Sequence, residues 1–424
     1  MRTKATTLNL KQWTERIASI SLHEVELGLE RVRQVWLRLG EPLVAPRIIT
    51  IAGTNGKGTC AHFLDKTMRA DGRRVGLYTS PHLLRFNERI VIDGHSISDD
   101  QLCAAFEHID QVRGKVPLTF FEFTTLAALW CFAQARLDIA VLEVGLGGRL
   151  DAVNLIDPTV AVVTRIGIDH TAFLGSTLAA IGREKAGIFR PRIPAIVAAA
   201  DAPAVLADVA LEQNAHLVAR DEHFFCARTD AGFGWTDQNT TLSDLPLPRG
   251  AALDSLAGAL AALACLGLLP AREILAGVLT RWSLAGRQQW VPGQPAFLLD
   301  VAHNPQAAAH LAQRLQREGR QVRCVVGMLA DKDTNGFVTP LKNWVRHWHA
   351  VGVEGRRGLR ADELATRLAN AGIAPVATSA SVAAALARER AAAEENELIV
   401  VCGSFHVVGP ALAWLGLYSP SLST

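Results

Sequence analysis

The segment Gly53-Thr54-Asn55-Gly56-Lys57-Gly58-Thr59 constrains this chain more than any other. It lies between a short β-branched run, Ile48 to Ala52, and an amphipathic stretch, Ala61 to Ala70, which the pair Asp71-Gly72 closes. Strand, glycine loop and helix in that order gather backbone N–H groups, a lysine ammonium, a threonine hydroxyl and a helix N-terminus around one point, which makes a cradle for phosphate. The strict Walker spacing is not met, because Ile51 stands where its first glycine would be. A purely structural glycine turn is the plain alternative. The order of elements favours a loop that binds a nucleoside triphosphate.

Around this loop, apolar runs alternate with helical patterns, as in a mostly parallel sheet covered by helices. Val75 to Thr79, Ile139 to Val144, Thr159 to Ile168 and Pro194 to Ala199 read as strands. Leu102 to Val112, Thr124 to Ala135 and Thr177 to Ile188 read as helices, the first preceded by a capping box at Ser98 to Gln101. Residues 216 to 250 suggest a short antiparallel insertion, and two helices follow near 255 to 266 and 271 to 279. Gly286, Pro292 and Gly293 mark a boundary. Beyond it a second alternation runs through strands at 296 to 301, 322 to 327, 349 to 353 and 398 to 402, with helices at 305 to 316, 361 to 371, 381 to 394 and 408 to 416. The expected fold class is α/β: a mostly parallel P-loop ATPase domain over residues 1–288, then a smaller Rossmann-like domain over 293–424.

Composition narrows the partners. Among 424 residues, 43 Lys and Arg face 41 Asp and Glu, so no excess of charge marks a nucleic-acid or membrane surface. The seven cysteines form no C-x-x-C pair, which argues against a disulfide framework and for a reducing compartment. Met1 to Gln12 is polar, without the apolar core of a secretory leader. Leu256 to Leu269 is the longest uncharged apolar stretch and is too short to span a bilayer. A cytoplasmic protein is expected.

Three residues share a position with the loop. Ser80 follows the strand ending at Thr79, Glu143 ends the run from Ile139, and His170 follows the run ending at Ile168. In a parallel sheet all three reach the carboxyl edge, where open α/β folds bind ligands. A hydroxyl, a carboxylate and an imidazole beside triphosphate suit a magnesium ion. Taken singly, Glu143 reads as a capping carboxylate and His170 as a structural histidine; their shared edge raises them. Gly145 to Leu150 imitates a dinucleotide fingerprint but has leucine in the sixth position and no strong helix after it, so no dinucleotide cofactor is expected.

These residues together carry a resemblance. The phosphate loop, Ser80-Pro81-His82-Leu83, Glu143 to Asp151, Asp169-His170, Arg183 to Ile188, Gly286-Arg287, Asp300 to Pro305 and Cys402 to His406 occur in the order of the Mur ligase superfamily. Within it they resemble the folate branch, the bifunctional dihydrofolate synthase/folylpolyglutamate synthase family, over almost the whole chain. The resemblance implies an ATP-dependent amide ligase. ATP phosphorylates the carboxylate of dihydropteroate or a tetrahydrofolate, and L-glutamate attacks the acyl phosphate. It also implies that Thr54, Asn55, Gly56, Lys57, Gly58, Thr59, Ser255, Arg287 and Asp300 hold ATP. Ser80, Glu143, His170 and a carbamylated Lys185 would hold magnesium, two ions in all, with Lys57, Lys185 and His170 acting in catalysis. Read alone, Lys185 is a solvated helix lysine. Glu26, Leu27, Gly28 and Leu29, then Thr119, Phe120, Phe121 and Glu122, then Leu150, Asp151 and Ala152 would take the pterin. The aromatic pair reads equally well as core.

Two departures stand out. Ser255 occupies the place of an asparagine that contacts adenine, with Asp254 beside it, and Cys60 replaces a second hydroxyl residue after the loop. A cell-wall ligase of the superfamily is disfavoured, because a loop starting at Gly53 leaves too little chain before it for a nucleotide-sugar domain. A P-loop binding ATPase without ligase chemistry, and a folylpolyglutamate synthase alone, remain as alternatives. A monomer is expected.

Overall fold

The computed structural model describes residues 8–20, 26–355 and 357–418; of the polar stretch Met1 to Gln12, residues 1–7 lie outside them. The first lobe is built on a sheet of β1 (Arg47–Ala52), β2 (Val75–Tyr78), β3 (Ile90–Ile92), β4 (His95–Ser96), β5 (Ile139–Glu143), β6 (Val160–Val163), β7 (Pro194–Val197) and β8 (His216–Ala219). Their order is β4-β3-β2-β5-β1-β6-β7-β8. Strands β2, β5, β1, β6, β7 and β8 are parallel, and the short pair β3 and β4 closes one edge antiparallel. Both faces of β2, β5, β1, β6 and β7 are largely buried, which is why they read as apolar runs, whereas the edge strand β8 is half-exposed. Ile48 and Ala52 pack with the helix Phe120–Gln134, whereas Ile49 and Ile51 pack with the helices Lys57–Ala70 and Leu253–Cys265. Phe63, wholly buried on that second face, contributes enough that Phe63→Ala costs about 3–5 kcal/mol.

The antiparallel insertion is present as β9 (Phe224–Thr229), β10 (Gly232–Asp237) and β11 (Thr241–Leu245), while β8 joins the main sheet instead. The second lobe holds β12 (Gln289–Val291), β13 (Ala296–Leu299), β14 (Val322–Val326), β15 (Val345–Val351), β16 (Val376–Ser379) and β17 (Leu398–Cys402), ordered β12-β13-β17-β14-β15-β16. All are parallel except β12, which pairs antiparallel with β13. The fold is thus α/β with two mostly parallel sheets. Among the described residues no helix is long and apolar enough to cross a membrane.

Several elements differ from their sequence expectation, each for a local reason. The helix expected from Ala61 starts at Lys57, because the last residues of the phosphate loop are its first turn. The helix expected from Thr124 starts at Phe120, where Thr119 and Glu122 form a reciprocal capping box. The run expected to stay extended to Ile168 ends at Val163. There Thr164 donates to the Ala52 and Asn55 carbonyls at 3.2 and 2.9 Å, and the chain bends to meet the loop. The strand expected at 349 to 353 runs Val345–Val351, and the last helix begins at Phe405.

Candidate active site

The phosphate loop is held by positions that only glycine can fill. Gly53 has φ +148°, and a Cβ there would lie 1.8 Å from Thr164 Oγ1. Gly56 has φ +91° and would place a Cβ 2.3 Å from Ser255 Oγ. Thr54 donates its N–H to the Arg165 carbonyl at 2.8 Å, fastening the loop to the bend after β6. Lys57 curls back and donates from Nζ to the Gly53 carbonyl at 2.9 Å. Burial lowers its pKa, with Glu143 opposing and Arg287 reinforcing the shift.

A cavity of about 780 Å³ opens between this loop and the second lobe. Asn55, Gly56, Gly58, Thr59, Ser255, Arg287 and Asp300 line it, so the structure brings together most of the residues read as an ATP site; Thr54 and Lys57 belong to the same loop but do not line the cavity. Asn55 is clasped from the other lobe. Its amide donates to Gln306 Oε1 at 2.6 Å and accepts from Asn304 Nδ2 at 3.1 Å. Arg287 lies over the Phe405 ring at 5.1 Å. Burial lowers its pKa while Asp300 and Glu143 raise it. Burial pushes Asp300 up to about 6 against the pull of Arg287. Asp254 also borders the cavity, but one oxygen is taken by Arg165 and the other by Arg220. It is therefore no ready substitute for the missing asparagine.

The register of β1 with β5 sets Ile51 opposite Glu143, so the loop and the carboxylate leave the sheet side by side. Glu143 is 4% exposed, and its Oε2 accepts from the Ser80 N–H at 3.2 Å. Burial raises its pKa, and Lys57 and Arg287 pull it down. His170 sits at φ +51°. Burial and the Lys332 charge lower it to about 4, so the imidazole is neutral at neutral pH. No group of three or more His, Cys, Asp or Glu side chains among the described residues is arranged for a metal. The set here has two such residues and a serine, and a carboxylate, a hydroxyl and a neutral imidazole suit a hard divalent ion.

Lys185 is 5% exposed, on the inner face of the helix Leu178–Ala186. Burial and the Lys57 charge lower its pKa to about 7, opposed by Asp169 and Asp151. The glycines of the false fingerprint explain how it comes so close. A Cβ at Gly148 would meet the Glu184 and Lys185 carbonyls at 2.8 Å, and one at Gly145 would strike the Phe121 ring at 2.6 Å. Asp169 forms the bridge to the second lobe: Lys332 Nζ at 2.7 Å, Asn304 Nδ2 at 3.2 Å and His303 Nε2 at 3.6 Å. Burial would raise its carboxyl, but the His303 hydrogen bond and the His170 and Lys332 charges outweigh that and hold it below the usual range. The sequence reading missed Lys332. Its position just past the carboxyl end of β14 was the available signal.

A second cavity, about 280 Å³, opens on the other side of Ser80 and His170. Glu26, Leu27, Gly28, Thr119, Phe121, Glu122, Leu150, Asp151 and Ala152 line it. Leu29 and Phe120 do not. Both are half-buried: Leu29 packs against the core, and Phe120 meets Phe86 edge-on at 5.8 Å. Arg31, also missed, ties the wall together by pairing with Glu122 at 3.0 Å and with Glu26. Asp151 accepts from the N–H groups of Leu146 at 2.8 Å and Val153 at 2.9 Å, and burial pushes it up to about 6.

Comparison with known proteins agrees with this geometry. The family model of the Mur ligase middle domain matches residues 51–224, and that of the Mur ligase glutamate ligase domain matches 286–405. The dihydrofolate synthase/folylpolyglutamate synthase of Escherichia coli is 42% identical over 410 residues, 96% of each chain. Its structure in complex with DHPP and ADP superposes with a TM-score of 0.92 at 41% identity, covering 98% of this chain and 99% of that one. The Yersinia pestis bifunctional enzyme complexed with AMPPNP and Mn ion gives 0.90 at 43%, covering 98% and 100%.

Proposed function

The chain belongs to the Mur ligase family, in its dihydrofolate synthase/folylpolyglutamate synthase branch, and from that premise we infer that it adds L-glutamate to dihydropteroate and to tetrahydrofolates at the expense of ATP. The observation that carries this is the meeting of two unlike cavities. They meet on one sheet edge: the first is lined by the phosphate loop, the second is walled by acidic side chains and an aromatic ring, and Ser80 of the second donates its N–H to Glu143, which stands opposite Ile51 beside the loop.

The reaction needs two anions in contact. Lys57, released from the Gly53 carbonyl, neutralises the transferring phosphate, and Arg287 approaches it from the junction between the lobes. Ser80, Glu143 and His170 fit a divalent ion, which when bound supplies further positive charge at the phosphates. Asp151 and the Arg31-braced wall orient the acceptor acid, and Phe121 offers it an aromatic face. The acyl phosphate is then attacked by the glutamate amine, with phosphate leaving and the amine proton passing to a base. The Asp169, His303 and Lys332 cluster flanks that point. Lys185, buried beside Lys57 with its amine close to half-neutral at pH 7, is suited to react with carbon dioxide, and the resulting carbamate would add a carboxylate to the metal site. We assign nucleotide binding to residues 1–288 and glutamate binding to the second lobe, in a cytoplasmic monomer.

ADP release from Mg-ATP with L-glutamate tests the reading. Glutamate-dependent release with both dihydropteroate and tetrahydrofolate is expected. Release with tetrahydrofolate alone would reduce the chain to a polyglutamate synthase, and release indifferent to any acceptor would leave only a P-loop ATPase.

A further inference from the structure

The second cavity has a wall that no motif assigned. Arg357, on the second lobe, lines it opposite Glu26, Glu122 and Asp151 of the first. Its backbone is fixed: its carbonyl accepts from the Ala330 N–H at 2.7 Å, Leu359 N–H donates to Met328 at 3.2 Å, and Leu329 and Gly358 form an isolated antiparallel bridge. Gly358 permits this close turn, since a Cβ there would lie 1.8 Å from the Val353 carbonyl. Asp331 then aims the side chain, accepting from Nε at 3.3 Å and Nη2 at 2.8 Å. The next residue, Lys332, crosses to Asp169 beside His170. One short segment of the second lobe therefore delivers a cation to the reacting edge and orients another in the acceptor cavity.

The two acceptors differ at this wall. Dihydropteroate ends in one carboxylate, which reacts. A tetrahydrofolate ends in a glutamyl residue whose γ-carboxylate reacts while its α-carboxylate stays charged. That spectator charge enters a cavity already bordered by three acidic side chains, and leaving it unpaired there is costly. A guanidinium matches a carboxylate in two parallel hydrogen bonds. Arg89, the other arginine in the wall, belongs to the first lobe. Its Nε donates to His82 Nδ1 at 2.9 Å, and its guanidinium lies over the Phe86 and Phe120 rings at 5.2 and 6.0 Å. We propose, resting on the folate-ligase reading above, that Arg357 forms a subsite for the α-carboxylate of the acceptor's terminal glutamyl residue. It thereby serves chain extension and not the first glutamylation.

The experiment is steady-state ADP release by wild type and Arg357→Ala with dihydropteroate, tetrahydrofolate, and a tetrahydrofolate analogue in which γ-aminobutyrate replaces glutamate, so that only the α-carboxylate is missing. Arg357→Ala is expected to raise the KM for tetrahydrofolate about tenfold, leaving dihydropteroate, the analogue and the KM for glutamate within about twofold; Arg357→Lys recovers part of the loss. Equal losses with all acceptors, a raised glutamate KM, or no change would overturn the assignment. Wild type alone decides it if the variant misfolds: an analogue used as well as tetrahydrofolate refutes the subsite. Absence of turnover by wild type with every acceptor would sink the ligase reading itself.

Discussion

The two cavities share one sheet edge and are built by opposite means. The nucleotide cavity depends on backbone: left-handed glycines, a helix N-terminus, and a loop whose shape is set by the Thr164 and Arg165 bend. The acceptor cavity depends on side chains, with Glu122 and Asp151 accepting from the Thr119 and Val153 N–H groups and Arg31 pairing with both Glu122 and Glu26. A backbone site tolerates nothing at its glycines and concentrates its chemistry in few groups. A side-chain site degrades by steps. Damage on the nucleotide side should therefore be near-total and blind to the acceptor, whereas damage on the acceptor side should be graded.

The sharpest way to break that contrast is Lys57→Ala, expected to lower kcat about 10³-fold with dihydropteroate and tetrahydrofolate alike, in an ADP-release assay on protein whose circular dichroism is unchanged. Unequal losses would show that Lys57 serves the acceptor too. Lys185→Ala should cost roughly 10²-fold. Wild-type activity should fall as pH drops through about 7, because the amine that must be neutral to take up carbon dioxide becomes protonated. Stripping bicarbonate should mimic the fall, and native mass spectrometry should show the adduct; a Lys185 that stays unmodified under bicarbonate would remove it from the metal site. Gly56→Ala forces a side chain into φ +91° and onto Ser255 Oγ. About 1–2 kcal/mol of strain should appear as roughly tenfold weaker ATP binding by calorimetry. Adding Ser255→Ala should relieve the contact without relieving the backbone.

On the acceptor side the effect is smallest and depends on pH. Folded Asp151 holds its proton up to about pH 6, against an ordinary value of 3.8. Its contribution therefore favours the folded state below the lower value and is lost as pH rises through the higher one. Asp151→Asn should flatten the stability profile between about pH 5 and pH 8 by on the order of 1 kcal/mol, read from urea midpoints. An unchanged slope would mean the carboxyl is ionised throughout.

The same contrast explains what could be read from sequence. The phosphate loop, Ser80 and Glu143 were legible because each lies at the carboxyl end of an apolar parallel strand, whereas His170 was placed from a run read through Ile168 and reaches the second cavity only by way of the bend that follows Val163. The capping box at Ser98 was legible because it is local. Lys185 was not, since the side of a helix that faces inward depends on what packs against it, here Gly148 and its neighbours. Phe120 and Phe121 show the limit at single-residue scale. Adjacent in sequence and both half-buried, one meets Phe86 and the other walls the cavity. Arg31 and Arg357 carry no local signature, because their partners lie on other elements, and Lys332 carries only its place after β14.

The clasp between Asn55 and Gln306 joins the nucleotide loop to the lobe that matches the glutamate ligase family model. If bound ATP alters that contact, and if the alteration reaches the lobe we assign to glutamate, the exchange has to be reciprocal. The factor by which ATP tightens glutamate equals the factor by which glutamate tightens ATP. An enzyme joined in this way meters one supply against the other, drawing on neither when either is scarce.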